Sequence, residues 1–232
     1  MKKNYSCVLF DLDHTLWDFE SNSAETLQEL FYQYNLHDKG VNSFAYFHET
    51  FIRINTRLWE LHDKSLIGSE DIRLQRFHKV FGETGIDDYP LSLKFSADFL
   101  QELPKKKNLL PHANETLEYL HEKYPMVIVT NGFDELQSTK MSSSGIHHFF
   151  KAIVTSQRAG NKKPTKEIFE FALKEVGHRS ADSIMIGDNL LTDIVGARSA
   201  GIDTIYFNPA GAPHQERVTF EIKSLRELRG LL

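Results

Sequence analysis

The sequence predicts an α/β protein: a doubly wound parallel sheet with an all-helical domain inserted after the first strand. Three observations predict this fold. Short apolar runs recur along the chain, helical patterns separate most of them, and one long segment carries helical patterns without a strand. Nearly continuous apolar runs are typical of strands buried on both faces. Their alternation with helices indicates a Rossmann-like parallel core.

Five apolar runs predict the strands of this core, at residues 7–10, 126–129, 152–154, 183–186 and 204–207. Helices are predicted at residues 113–124, 165–176 and 192–200, with Gly177 and Gly201 after the last two. A glycine directly after a helical pattern is a common end point, because it adopts the left-handed conformation without strain. We expect right-handed crossovers between the strands.

Residues 17–107 interrupt the alternation. Their pattern predicts helices at about 21–34, 43–62, 69–81 and 91–101, with breaks at Gly40, Gly68, Gly85 and Pro90. The sequence therefore predicts two domains: an α/β core of residues 1–16 and 108–232, and a helical domain of residues 17–107. Arginines of this segment, Arg53, Arg57, Arg73 and Arg76, are expected to be solvated or ion-paired.

Charge and composition narrow the classes of partner. The chain of 232 residues has a formal net charge of −5 and no long basic face, which disfavours a nucleic-acid polymer. No apolar stretch approaches the length of a membrane span, so we expect no membrane partner. The single cysteine, Cys7, lies within an apolar run, which excludes an internal disulfide and predicts a buried thiol. We expect a cytoplasmic protein, either a monomer or a homodimer.

Polar residues follow the predicted strands, where an open α/β sheet binds its ligands. They are Asp11 and Asp13 after the first strand, Thr130 and Asn131 after the second, and Asp188 and Asp193 after the fourth, with Lys163 before a helix. Converging carboxylates repel one another and need a counter-charge, which Mg²⁺ supplies when phosphate is also present. A lysine beside such a cation suggests an anionic substrate. A threonine hydroxyl and backbone N–H groups at a strand-to-helix turn can hold phosphate oxygens.

The order and spacing of these residues carry a resemblance. The runs Asp11-x-Asp13-x-Thr15, Thr130-Asn131, Lys163-Pro164 and Gly187-Asp188-x-x-x-x-Asp193 resemble the four signature motifs of the haloacid dehalogenase-like (HAD) superfamily. Residues 17–107 resemble the helical cap of one of its subclasses. One position departs from the usual pattern: His14 stands where many members have glycine. This departure concerns the local backbone or access to the site.

The resemblance implies a role for each motif residue. Asp11 is then the nucleophile and a metal ligand, and Asp13 is the general acid and base, with its backbone carbonyl also on the metal. Thr130 and Asn131 hold the transferring phosphoryl group, and Lys163 neutralises its charge. Asp188 is a direct metal ligand, and Asp193 is a ligand or supports one. The implied reaction is Mg²⁺-dependent hydrolysis of a phosphomonoester through an aspartyl-phosphate.

The core motifs leave the substrate open. The whole chain most resembles the bacterial pyrimidine 5′-nucleotidases, which favours a pyrimidine nucleoside monophosphate among small phosphorylated metabolites. A sugar-phosphate phosphatase or a phosphomutase shares every core residue. A 2-haloacid dehalogenase is disfavoured, because such enzymes usually lack the second aspartate, here Asp13. A non-catalytic phosphate-binding module is expected to lose Asp11, which is present. Arg76 and Trp59 are candidate substrate contacts in the cap.

Overall fold

The computed structural model describes residues 3–232, and the chain divides into two compact units. One comprises Met1–Phe19 and Lys107–Leu232 and is called the core unit below. The other comprises Glu20–Lys106 and is called the helical unit. The sequence predicts its helical domain over residues 17–107, and the helical unit covers most of that range.

Within residues 3–232, six parallel strands form one sheet in the core unit, in the order β3-β2-β1-β4-β5-β6. They are β1 (Cys7–Phe10), β2 (Met126–Thr130), β3 (Ala152–Thr155), β4 (Ser183–Gly187), β5 (Asp203–Phe207) and β6 (Phe220–Ile222). The predicted doubly wound parallel sheet is thereby confirmed. The sequence gives no signal for β6, because its three residues carry an exposed Glu221 between two apolar neighbours.

The first strand lies at the centre of the sheet, at the point where the strand order reverses. Phe10 lies opposite Ile128 of β2 and Ile186 of β4. β2 and β3 lie on one side of β1, and β4, β5 and β6 lie on the other. The carboxyl end of β1 is therefore at the crevice where such sheets bind ligands. All four residues of β1 are fully buried, which leaves Asp11, the next residue, as the first polar side chain at that edge.

The helical unit is described throughout, and its four α-helices are α1 (Phe19–Gln33, beginning one residue earlier), α2 (Phe44–Asp63), α3 (Ser69–Thr84) and α4 (Tyr89–Glu102). Phenylalanine rings form its interior, and those of Phe77 and Phe95 lie 4.8 Å apart between centroids. The Ser43 side chain accepts a hydrogen bond from the Tyr46 N–H, and this bond caps the N-terminus of α2. Gly85 ends α3 with a φ of +94°, a conformation that favours glycine.

Arg76 contradicts the expectation of a solvated or ion-paired arginine. It is 2% exposed, and Nη1 donates to Asn55 Oδ1 at 3.2 Å. The guanidinium lies over the rings of Phe99, at 4.9 Å, and Phe77, at 5.2 Å. Aromatic faces attract a cation and here replace the missing counter-ion. By contrast, Arg53 pairs with Glu83 on the surface, as expected.

The helices of the core unit lie between its strands or after the last strand. They are α5 (Ala113–His121), α6 (Asp134–Ser143), α7 (Ser156–Ala159), α8 (Lys166–Val176), α9 (Gly196–Ser199) and α10 (Leu228–Leu231). A π-helix covers Leu190–Val195, and short 3₁₀ turns cover His147–Phe149, Ser180–Asp182 and Leu225–Glu227. A further 3₁₀ turn, Leu103–Lys105, belongs to the helical unit. Helix α6 was not predicted, and the helix predicted at 192–200 is instead the π-helix followed by α9. Gly177 ends α8 in the left-handed conformation, as predicted.

One side of the sheet packs against α8. Cys7, Leu9 and Val129 contribute to a buried cluster that also contains Phe169 and Leu173 of this helix. The Cys7 thiol is buried, as predicted, and burial raises its pKa to about 12, so it is not a reactive thiolate at neutral pH. Among residues 3–232, no helix combines the length and the hydropathy that crossing a bilayer requires.

Candidate active site

Asp11 lies at the end of the central strand, and the sheet fixes its backbone. Its N–H donates to the Ile186 carbonyl of β4 at 2.9 Å. Its carboxylate is almost completely buried, and Oδ1 accepts a hydrogen bond from Lys163 Nζ at 2.5 Å. A buried carboxylate with an ammonium partner is held in one orientation, as a nucleophile requires.

Lys163 joins two of the predicted carboxylates. Its Nζ also donates to Asp193 Oδ1 at 2.6 Å, and its side chain is 3% exposed. The backbone of Lys163 is held by the Asn131 side chain: Oδ1 accepts from the Lys163 N–H at 2.8 Å, and Nδ2 donates to the Lys163 carbonyl at 3.0 Å. The second and third motifs are therefore joined directly. The sequence did not indicate this use of the Asn131 amide.

Among the described residues, the carboxylates of Asp11, Asp188 and Asp193 form a group whose oxygens all lie within 4.8 Å of one another. Thr15 Oγ1 donates to Asp188 Oδ1 at 3.0 Å. Asp193 Oδ2 accepts from the Asn189 N–H at 3.0 Å, at the start of the π-helix. Gly187 leaves the space for this carboxylate, since a Cβ at that position would overlap the Asp193 side chain.

The electrostatics of this group show a surplus of negative charge. Burial raises the pKa of the Asp11 carboxyl to about 7, against the opposing charge of Lys163 and with added repulsion from Asp193. Burial and the charges of Asp11 and Asp193 also hold the pKa of Asp188 well above its usual range. Burial lowers the pKa of Lys163, but Asp11 and Asp193 together raise it above its ordinary value. Two buried carboxylates and the half-buried Asp188, all offering oxygen ligands beside this ammonium, fit a hard divalent cation.

Thr130 and Asp13 complete the predicted set. Thr130 ends β2, is buried, and its Oγ1 accepts from the Gly132 N–H at 3.0 Å, which forms the turn after the strand. The Asp13 side chain lies outside the carboxylate group and is half-buried. Both of its oxygens accept from Lys140 Nζ at 2.7 Å. Sequence reasoning missed Lys140, because no motif spacing connects it with Asp13.

His14 has a φ of +65°, in the left-handed region that favours glycine. The backbone conformation at residue 14 explains why many similar proteins have glycine there, and no side-chain chemistry is needed for that explanation. The His14 ring lies 5.1 Å from the Phe19 ring.

The fold and the site together define the class of this protein: a Rossmann-like core in which strand-end carboxylates and a buried lysine lie together. The chain belongs to the haloacid dehalogenase-like hydrolase family, whose model matches residues 8–207. The family membership that the four motifs predict is thereby confirmed.

Three bacterial proteins are similar along nearly their whole length. HAD-hydrolase YfnB of Bacillus subtilis is 32% identical over 99% of this chain and 96% of its own. Its crystal structure, bound to magnesium, matches with a TM-score of 0.87 and covers 99% of both chains. Pyrimidine 5′-nucleotidase PynA of Streptococcus pneumoniae is 29% identical, over 97% of this chain and 93% of its own. Pyrimidine 5′-nucleotidase YjjG of Escherichia coli is 28% identical, over 97% of this chain and 96% of its own. The predicted resemblance to this branch is therefore confirmed.

Proposed function

We propose that this protein hydrolyses phosphomonoesters with Mg²⁺, through an aspartyl-phosphate formed on Asp11. One observation carries the proposal: a buried carboxylate at the end of the central strand lies 2.5 Å from the Lys163 ammonium, within a group of three acidic residues. An oriented carboxylate beside a cationic site is the arrangement that attack on a phosphoryl group needs. Similarity to two nucleotidases supports the same reaction class.

The reaction proceeds in two displacements. In the first, an Asp11 oxygen bonds to phosphorus, the ester P–O bond breaks, and Asp13, which enters this step as the protonated acid, gives its proton to the leaving oxygen. In the second, Asp13 takes a proton from water, the water oxygen bonds to phosphorus, and the Asp11–phosphorus bond breaks. Inorganic phosphate leaves and both carboxylates return to their starting state.

Other side chains bind and orient the phosphoryl group. Lys163 neutralises its oxygens, and the turn that follows Thr130 presents backbone N–H groups and a hydroxyl. Asp11, Asp188 and Asp193 would hold Mg²⁺, and the resemblance adds the Asp13 carbonyl as a ligand. When bound, Mg²⁺ would supply the positive charge that keeps these carboxylates ionised and that offsets the charge of the phosphate.

A small phosphorylated metabolite in the cytoplasm is the proposed substrate, and a pyrimidine nucleoside monophosphate is favoured because of the two similar nucleotidases. The helical unit is proposed to act as the cap that selects it, because the core groups serve any phosphate ester. A sugar-phosphate phosphatase or phosphomutase uses the same core residues. A 2-haloacid dehalogenase needs neither a metal nor Asp13. The presence of Asp13 and of a carboxylate group suited to a cation therefore disfavours that reaction here.

Uridine and thymidine monophosphates should exceed glucose 6-phosphate and glycerol phosphate by about tenfold in kcat/KM, near 1.4 kcal/mol of differential transition-state binding. The measurement is phosphate release across this panel with Mg²⁺, with 2-chloropropionate followed for chloride in parallel. Equal or faster hydrolysis of the sugar phosphates would defeat the nucleotidase proposal and leave the phosphatase one intact. Conversion of β-glucose 1-phosphate to glucose 6-phosphate would support a mutase, and metal-independent chloride release would support a dehalogenase.

Magnesium should raise the melting temperature more at pH 8 than at pH 5. In the folded, metal-free protein the pKa of Asp11 is about 7, above its ordinary value of 3.8. The protonated Asp11 carboxyl therefore contributes fully to the free energy of unfolding below pH 3.8, and this contribution is lost as the pH rises through about 7. At pH 5 the cation must displace the Asp11 proton, whereas at pH 8 it meets an ionised Asp11 carboxylate. Thermal unfolding with and without Mg²⁺ measures this difference. Asp11→Asn should reduce it, and equal increments at both pH values in the native protein would contradict the assignment.

A further inference from the structure

Lys140 contacts the second aspartate of the first motif across 127 positions of sequence. Its Nζ lies 2.7 Å from both Asp13 Oδ1 and Asp13 Oδ2. Both groups belong to the core unit. We propose that Lys140 is a positioning residue for the reaction: it fixes the orientation of the Asp13 carboxylate from which protons are exchanged. The inference rests on the proposed function, since it assigns Lys140 a part in the same two displacements.

The backbone around Asp13 is already rigid. The N–H groups of Thr15, Leu16 and Trp17 donate to the Leu12 carbonyl at 2.9–3.3 Å, and the His14 N–H donates to the Trp17 carbonyl at 3.0 Å. These bonds close a tight turn and fix where the Asp13 side chain begins. They leave the torsions of that side chain undetermined, and the contact with Lys140 determines them.

Lys140 is itself held on several sides. Its Nζ lies 4.6 Å from the centre of the Trp17 ring, which is fully buried and belongs to the same turn. The Lys140 carbonyl accepts from the Ser144 hydroxyl at 2.6 Å, at the end of α6. The contact therefore joins a fixed lysine to a fixed turn.

Helix α6 is anchored at its other end to the sheet. The Asp134 N–H donates to Gln157 Oε1 at 2.9 Å, and the Thr155 hydroxyl donates to the Asp134 carboxylate. This helix follows directly on the turn after Thr130, which is proposed to hold the phosphoryl group. The same segment thus supplies a phosphate-binding turn and the group that orients the acid–base residue.

The burial of Lys140 makes the contact specific. Its side chain is 4% exposed, and an ammonium removed from water to that degree needs a partner that occupies its donors. Asp13, at 23% exposed, remains reachable from solvent and from a substrate. An oriented proton donor lowers the barrier because the reacting atoms are already near their transition-state positions. If Lys140 only stabilised the fold, its loss would affect every substrate alike.

Leaving-group dependence separates positioning from structure. A p-nitrophenolate ion departs without a proton, whereas the alkoxide of an alkyl phosphate such as glycerol phosphate needs one. Lys140→Met keeps the length of the side chain and removes the ammonium. Because the second displacement uses Asp13 as a base whatever the ester, the comparison is made on kcat/KM, which reports the first displacement alone. We expect kcat/KM for glycerol phosphate to fall by about 10- to 100-fold and kcat/KM for p-nitrophenyl phosphate by less than about 3-fold, because general acid catalysis contributes about 10²–10⁴-fold.

The matched control is Lys174→Met, which removes an exposed lysine from the last turn of α8 and should leave both rates unchanged. A second comparison places Lys140→Met in an Asp13→Asn background. If Lys140 acts through Asp13, its loss there should cost less than about 2-fold in kcat/KM for glycerol phosphate, since interacting residues show non-additive effects. Lys140→Arg retains a cation and should recover part of the glycerol phosphate rate.

The outcomes are distinguishable. No phosphate release from either ester by the native protein would defeat the proposed function and this inference with it. An active native protein whose Lys140→Met variant loses kcat/KM on both esters by the same factor, or loses the same factor in the Asp13→Asn background, would overturn the inference alone. A variant too unstable to assay is replaced by Lys140→Arg, for which equal loss on both esters is again the contradicting result.

Discussion

Asp11→Asn should lower kcat by about 10³-fold or more, because the substitution removes the charge that attacks phosphorus and ends covalent catalysis. Asparagine has nearly the shape of aspartate, and the backbone hydrogen bond from residue 11 to Ile186 does not involve the side chain. The sheet should therefore keep its register. Steady-state rates of phosphate release with saturating Mg²⁺ measure the effect.

Stability provides the control for this loss. Burial raises the pKa of Asp11, so an ionised carboxylate at this position disfavours folding in the metal-free protein above about pH 7. Removing the charge should leave the melting temperature at pH 8 unchanged or higher without metal. Asp87→Asn, at an exposed aspartate, should change neither quantity. An Asp11→Asn variant that retains a tenth of the native kcat would be incompatible with an aspartyl-phosphate.

Removal of the metal should have an effect of similar size. Excess chelator should bring phosphate release to the limit of detection, and added Mg²⁺ should restore it. Without a cation, Asp11, Asp188 and Asp193 repel one another and an incoming phosphate, and the Lys163 ammonium does not balance their charge. The measurement is activity in chelator, followed by titration with Mg²⁺.

A variant of the carboxylate group refines this test. Asp188→Ala should raise the Mg²⁺ concentration required for half-maximal activity, while Asp87→Asn should not. Full activity in excess chelator would contradict the metal assignment. If the Asp188→Ala variant reached half-maximal activity at the same Mg²⁺ concentration as the native protein, the proposal that Asp188 is a metal ligand would be contradicted.

The sequence predicts most of the fold because buried strands carry their own signal. Residues 7–10 and 126–129 are apolar on both faces, and each lies in a central strand of the sheet. The edge strand β6 has only three residues and an exposed glutamate, so it lacks that signal. Helix α6 is also missed, because few of its residues are apolar and buried; Leu136 and Met141 are two that are.

The sequence likewise predicts only some of the residues of the candidate site. Asp11, Lys163 and Asp193 follow recognisable motifs, and the structure joins them through hydrogen bonds of 2.5 and 2.6 Å. Lys140 has no motif, and only the folded chain brings it to Asp13. The burial of Arg76 is likewise invisible in the sequence, because it depends on rings contributed by separate helices.

The stereochemical course at phosphorus tests the central claim most directly. A phosphorothioate monoester made chiral at phosphorus with two oxygen isotopes can be hydrolysed by the native protein with Mg²⁺ in water labelled with the third isotope, and the configuration of the product thiophosphate determined. Attack by Asp11 followed by attack by water inverts phosphorus twice, so the account predicts net retention. Net inversion would mean that water attacks the ester directly, and it would contradict an aspartyl-phosphate on Asp11.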